Sequence, residues 1–399
     1  MDYQFSESLQ HFKSSAVREI LKLTQGKSII SFAGGLPAEE LFPVEAVRDA
    51  YVAALNRGNS SLQYGLTEGY LPLREALAER MRQKNITVTP DEMILTTGSQ
   101  QSIDLLTRIY IDPGDVILVQ QPTYLAALQV FQARGARVVA VKGDEFGMDL
   151  EDAAAKIKQH QPKLLYVTPT FSNPTGYVWN LERRQGILQL CRRHNVLILE
   201  DDPYGELQYS SDRLYPSIFS LDTHPHGSAV VYTSTFSKTV APALRTGWAI
   251  GDPAIIRNMA RAKQAADLHS SSMDQQALYE LLCRFDLDAH IAGIRKDYEQ
   301  RMLLMTDLLE GLNIPGLRWN RPEGGMFIWL ELPEGYKAEE LLVKAVEEGV
   351  AFVPGAPFYA GEPQVNTCRF NFTHSDSKEM KLGMERFARA MNSYVPSPV

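Results

Sequence analysis

The chain has 399 residues, 44% of them apolar and 22% charged, with a net charge of −8. That length suits one large α/β domain plus a smaller one, and no basic block is available to neutralise a nucleic-acid backbone. Three scattered cysteines, an acidic N-terminus without an apolar signal core, and no apolar run long enough to span a bilayer point to a cytoplasmic protein without disulfides, zinc or membrane segment.

The first thirty residues are polar and then helix-like. Ser14 and Ser15 are N-cap candidates, and Val17, Ile20 and Leu21 follow at helical spacing around Arg18. Gly26-Lys27-Ser28 resembles the end of a phosphate-binding loop, but the leading glycine of that motif would fall at Leu21, which excludes it. Gly34 and Gly35 lie in a loop that permits close backbone approach. Amphipathic helices are expected over 44–56 and 73–84, separated by a polar loop carrying Tyr64.

Strands and helices then alternate. Strands are predicted over 93–97, 116–120, 138–141, 164–168, 196–200, 230–234 and 246–250, with helices such as 100–109 and 181–193 between them. Apolar strands alternating with helices imply an α/β fold with a mostly parallel seven-stranded sheet, covered on both faces. Past residue 285 the pattern changes to a long helix over 289–311, strand-like pieces at 317–320, 326–330, 350–353 and 368–372, and helices over 338–348 and 377–391. The expected division is an N-terminal segment 1–43, a large domain 44–285 and a smaller α+β domain 286–399.

The residues with chemical potential cluster at predicted strand ends. Gly98, Ser99 and Gln100 open a helix directly after a strand, where free N–H groups accept anions. Tyr124 follows the next strand, within reach of a ligand at the sheet's carboxyl edge. Asn173 projects an amide from a loop set by two prolines and Gly176. Glu200-Asp201-Asp202 close another strand. A magnesium site of the nucleotide-hydrolase kind fails for want of a phosphate loop, whereas a carboxylate facing a pyridinium nitrogen fits, with Tyr204 three residues on. Arg369 lies among apolar strand residues and needs a partner, either an internal acid or a bound carboxylate.

The centre of this pattern is the stretch Thr235-Phe236-Ser237-Lys238, with Arg245 seven residues later. Hydroxyls and a guanidinium that converge on one phosphate, beside an amine, suggest pyridoxal phosphate held as a Schiff base on Lys238.

With SFAGGLP, LQYGLTEGY, TTGSQQ, NPTG, EDDPYGEL, STFSK and RPEGGMFIW on one chain, the sequence from Ser14 to Met391 resembles the fold type I PLP-dependent aminotransferases of classes I and II. It is most similar to the 2-aminoadipate and kynurenine aminotransferase subgroup. The resemblance implies that Lys238 carries the cofactor, Asp201 pairs its ring nitrogen, Asn173 and Tyr204 bond the ring oxygen, and Tyr124 stacks on the ring. Ser99, Gln100, Thr235, Ser237 and Arg245 would hold the phosphate, joined by Tyr64 of a second subunit in a homodimer with shared active sites. Arg369, Asn173 and the Gly35 backbone would hold the substrate α-carboxylate. Residues 1–43 would cover the site, with Arg18 reading an acidic side chain. The implied activity moves an amino group between an L-amino acid (2-aminoadipate, glutamate, aromatic or branched-chain) and a 2-oxo acid such as 2-oxoglutarate, without a metal, in a ping-pong cycle. A β-lyase or decarboxylase on the same fold, and an effector-binding regulator domain, are the competing classes. Thr235 replaces a common serine but keeps the hydroxyl, and Ser270-Ser271-Ser272-Met273 departs from the subgroup pattern.

Overall fold

The structure, a computed structural model, describes residues 1–5, 29–210, 213, 215–223 and 227–395. The predicted helix carrying Arg18 lies outside these residues. Seven strands form the main sheet: β1 (Met93–Thr96), β2 (Val116–Gln120), β3 (Arg137–Val141), β4 (Leu164–Val167), β5 (Leu197–Asp201), β6 (Val230–Thr235) and β7 (Gly247–Ile250). Their order is β1-β7-β6-β5-β4-β2-β3. The continuous apolar runs of β1, β2, β4 and β5 are buried on both faces, as helices on either side of a parallel sheet require.

The exception to parallel order is β7, antiparallel to both β1 and β6. The short link between β6 and β7 holds only a 3₁₀ turn, Pro242–Leu244, too little chain for a parallel crossover. The consequence is local: Lys238 and Arg245 both lie in this link, at the carboxyl end of the sheet.

A four-stranded antiparallel sheet forms from Arg318–Trp319, Phe327–Glu331, Thr367–Asn371 and Val353–Pro354. The strand expected over 350–353 is split. Val350–Ala351 pairs in parallel with Ile30–Ser31, while Val353–Pro354 pairs with Thr367–Asn371. The N-terminal stretch thereby joins this sheet's core, where Phe32 packs on Phe370 at 5.4 Å between ring centres. The helix Leu287–Gly311 links the two halves. Leu287 and Ile291 are buried with the large sheet, and Ile294, Tyr298, Met302, Met305 and Leu309 with the smaller one. Among the described residues, no helix is long and apolar enough to cross a membrane.

Candidate active site

Five parallel strands, β1, β2, β4, β5 and β6, deliver their C-terminal ends to one edge of the sheet, and a cavity of about 330 Å³ opens there. It is lined by Ser99, Gln100, Tyr124, Asn173, Asp201, Tyr204, Thr235, Ser237, Lys238 and Arg245 from the sheet side, and by Gly35 and Arg369 from the other. Twelve expected site residues therefore meet in one place although Gly35 and Arg369 are far apart in sequence. Tyr64 does not line it. That residue is 78% exposed, and its ring lies nearly perpendicular to that of His269. Arg18 lies outside the described residues.

Asp201 is the last residue of β5 and is buried. Its Oδ2 accepts from the Tyr166 hydroxyl at 2.9 Å, and its Oδ1 has no hydrogen-bond partner. Burial, helped by the neighbouring Asp202 charge, pushes the carboxyl up to about 7, against the pull of the Tyr166 hydroxyl and of the nearby Ser99 side chain. Asp202 points to the opposite face, as adjacent strand residues must. It accepts from Gly205 N at 2.9 Å and from the Tyr232 hydroxyl at 2.7 Å, and it does not line the cavity.

At the end of β6, Thr235 Oγ1 and Ser237 Oγ lie 2.9 Å apart, and Arg245 Nη1 donates to Ser237 Oγ at 3.3 Å. Arg245 Nη2 donates to the Thr97 carbonyl at 3.3 Å. The helix Gly98–Tyr110 begins beside these groups. Gly98 has φ +72°, and a Cβ there would lie 2.6 Å from Arg245 Nη2. Only glycine lets the guanidinium approach the first turn this closely. Among the described residues no carboxylate pairs with Arg245, so its charge, the hydroxyls and the helix N-terminus form one corner suited to an anion.

The Lys238 Nζ donates to the Gly35 carbonyl at 2.9 Å. Burial, then the nearby Arg369 and Arg245 charges, push its pKa down to about 8. Arg369 forms a second cationic corner. Its Nη1 donates to Asn173 Oδ1 at 2.7 Å and its Nη2 to the Ala33 carbonyl at 2.6 Å, and Nε has no hydrogen-bond partner. The guanidinium centre lies 4.3 Å from the Phe327 ring, and burial pushes its pKa down to about 10. No internal acid pairs with it among the described residues. Tyr124 donates to Gln100 Oε1 at 3.3 Å and is pushed up to about 12 by burial. Tyr204 is raised as well, also chiefly by burial, and hydrogen-bonds with the Asn173 side chain.

Three cations and one carboxylate thus line a single cavity with two anion-accepting corners on either side of an amine. Residues 27–387 match the family model described as aminotransferase class I and II. The chain belongs to the class I and II aminotransferases. This aminotransferase is 40% identical to aromatic-amino-acid aminotransferase 1 of Thermococcus litoralis, over 98% of this chain and 95% of that one. Its fold matches the α-aminoadipate aminotransferase of Thermus thermophilus, solved with N-(5'-phosphopyridoxyl)-L-leucine, with a TM-score of 0.89 at 38% identity, covering 97% of each chain. The kynurenine aminotransferase of Pyrococcus horikoshii, solved with PMP, gives a TM-score of 0.91 at 39% identity, covering 97% of this chain and 96% of that one. The fold is that of the PLP-dependent enzymes of type I, and the cofactor is pyridoxal phosphate.

The residues of the aminotransferase fit that group. The unpartnered Asp201 Oδ1 answers a ring N–H, the glycine-opened corner at Gly98 and Arg245 answers a phosphate, and Lys238 supplies an amine with a lowered pKa. Among the described residues no group of three or more His, Cys, Asp or Glu could hold a metal ion. Tyr166 and Phe358 also touch Asp201 or the cavity and escaped the sequence reading. Tyr166 reads as an ordinary core strand residue. Only the pairing of Tyr166 with Leu199 puts it on the same face as Asp201, two residues beyond Leu199.

Proposed function

We propose that this aminotransferase takes the amino group from 2-aminoadipate, glutamate, or an aromatic or branched-chain L-amino acid and passes it to 2-oxoglutarate in a ping-pong cycle. The observation that carries the reading is the arrangement of two guanidinium corners, neither paired with a carboxylate among the described residues, around one half-buried lysine. When bound, the cofactor supplies the electron-withdrawing ring that holds the amino group between the two substrates.

Ser99, Gln100, Thr235, Ser237 and Arg245 hold the phosphate, Asp201 holds the ring nitrogen, Asn173 and Tyr204 the ring oxygen, and Tyr124 covers the ring. Arg369 receives the substrate α-carboxylate beside Asn173 and the Gly35 backbone. With a substrate bound, Lys238 Nζ would be the base for the Cα proton. Its lowered pKa leaves a useful fraction unprotonated near neutrality.

The chain acts as a cytoplasmic homodimer in this reading, divided into 1–43, 44–285 and 286–399. Support comes from Val52, Leu55, Leu62, Tyr64 and Leu66, which are exposed on the helix Val44–Leu55 and the loop after it. Tyr64 completes the phosphate site of the partner. Support for acidic and aromatic donors comes from the names of the relatives.

The residue proposed to read an acidic side chain is Arg18. A charge-assisted hydrogen bond contributes about 1.5–3 kcal/mol. Arg18→Gln is expected to lower kcat/KM for glutamate and 2-aminoadipate by about ten- to a hundredfold, with leucine and aromatic donors nearly unchanged. An equal loss for both classes would remove Arg18 from this role.

A further inference from the structure

The turn after the helix Pro253–Asp267 contains the serines that no catalytic role explains. Lys263, on that helix, has a fully buried side chain. Its Nζ donates to Gln101 Oε1 at 2.7 Å, to both Asp267 oxygens at 2.9 and 3.0 Å, and to Ser270 Oγ at 2.8 Å. Gln101 Nε2 donates in turn to Asp267 Oδ2 at 2.6 Å. A buried ammonium is tolerated because every direction it faces is answered.

The cluster converges on Thr97, the residue just before the helix Gly98–Tyr110. Thr97 N donates to Gln101 Oε1 at 2.8 Å, and Thr97 Oγ1 lies 2.9 Å from Ser270 Oγ. The Thr97 hydroxyl therefore does not cap its own helix. Threonine at this position would ordinarily bond the N–H groups of the first turn. Turned away toward Ser270, it leaves the Ser99 and Gln100 amides without that competitor. The Thr97 carbonyl meanwhile receives Arg245 Nη2. One residue thus links the buried cluster to both the helix end and the guanidinium of the anion corner.

We infer that Lys263, Asp267, Gln101 and Ser270 form a positioning cluster for the cofactor's phosphate: they fix Thr97 so that the helix amides and Arg245 converge on one point. The four residues touch neither substrate nor cofactor and act through Thr97. Charge balance within the cluster matters to this role. Asp267 neutralises Lys263, so the anion corner is not merely supplied with another distant cation.

This rests on the phosphate placement proposed above, and the test separates the two. The full-length protein, stripped of cofactor, is titrated with pyridoxal phosphate and, separately, with pyridoxal, which lacks the phosphate. Ser270→Ala, Lys263→Met, Thr97→Val and Thr97→Ser are compared with Arg245→Gln, which removes the proposed direct ligand. The expected result is a roughly tenfold rise in the Kd for pyridoxal phosphate in Ser270→Ala, Lys263→Met and Thr97→Val, about 1.4 kcal/mol. Pyridoxal affinity should stay unchanged in the same variants, and Thr97→Ser, which keeps the hydroxyl, should bind like wild type. If Arg245→Gln weakens pyridoxal phosphate and the cluster variants do not, the cluster has no positioning role. If the cluster variants weaken both ligands equally, its role is general stability and the inference is overturned. If Arg245→Gln leaves pyridoxal phosphate affinity unchanged, the phosphate placement itself is wrong. Should Lys263→Met fail to fold, Ser270→Ala against Thr97→Ser decides alone.

Discussion

Two adjacent carboxylates at the end of β5 have opposite fates. Asp202 is satisfied by Gly205 N and the Tyr232 hydroxyl, while Asp201 keeps one oxygen without a partner in the cavity wall. Strand alternation alone gives the prediction that only one of them faces the cofactor. Asp201→Asn should therefore cost about 3 kcal/mol of transition-state stabilisation, the scale of losing a preorganised electrostatic partner. Asp202→Asn should cost much less of kcat, and its effect should fall on stability. The same environment has a pH signature. In the cofactor-free protein, burial raises the Asp201 carboxyl from its usual 3.8 to about 7. The folded state then binds more protons than the unfolded state across that window. Stability present at low pH is lost as pH rises through about 7. Glu200, also buried and raised to about 7, contributes to the same window, so Asp201→Asn should reduce this loss without abolishing it in thermal unfolding of the cofactor-free protein followed from pH 4 to 8. A mutant that loses stability as steeply as wild type would place the titrating group elsewhere.

Among the secondary-structure elements, helix beginnings and strand ends carried the legible information. Apolar runs bounded by Gly, Pro and hydroxyl residues marked all seven strands, and the observed bounds differ by a residue or so. The strand expected to end at Glu200 runs on to Asp201, which keeps that carboxylate on rigid backbone. Two things were not legible. The antiparallel direction of β7 depends on how little chain the β6–β7 link contains, and an apolar run has no direction of its own. The Tyr166 bond to Asp201 depends on strand register, which periodicity does not report. The Gly98 turn shows how local backbone serves chemistry. Gly98→Ala combines a left-handed conformation, about 1–2 kcal/mol for a residue with a Cβ, with a contact at 2.6 Å to Arg245 Nη2. It should raise the Kd for pyridoxal phosphate at least tenfold while leaving the far-ultraviolet circular dichroism unchanged. Undiminished affinity would mean that Arg245 does not need the space that glycine leaves.

Across the whole molecule, two buried cores share one helix, and the cavity lies where their residues meet. Arg369 belongs to the smaller sheet and Arg245 to the link between β6 and β7 of the larger, so the distance between the anion corners depends on how the two pack. The change of pattern near residue 285 suggested a second unit, but the shared helix was not legible in it. Leu287 and Ile291 face one core and the next turns of the same helix face the other. The role of Tyr64 also belongs to this scale, because the residue is exposed and apart from its own cavity. Hybrid dimers made from inactive Lys238→Ala and inactive Tyr64→Ala subunits should regain activity, since one of the two sites would then hold both native residues. No recovery after verified subunit exchange would count against sites shared between subunits.

The most direct test of the central claim is a single half-reaction. The holoenzyme is mixed with one L-amino acid and no 2-oxo acid, while the cofactor spectrum and released products are followed together. An aminotransferase should convert its cofactor fully to the amine form, release one 2-oxo acid per site, then stop. Adding 2-oxoglutarate should restore the starting spectrum and release glutamate, and Lys238→Ala should do neither at a measurable rate. Continuous release of ammonia, carbon dioxide or an eliminated side chain, with the spectrum of the aldehyde form persisting, would contradict the account and make the protein a lyase or decarboxylase.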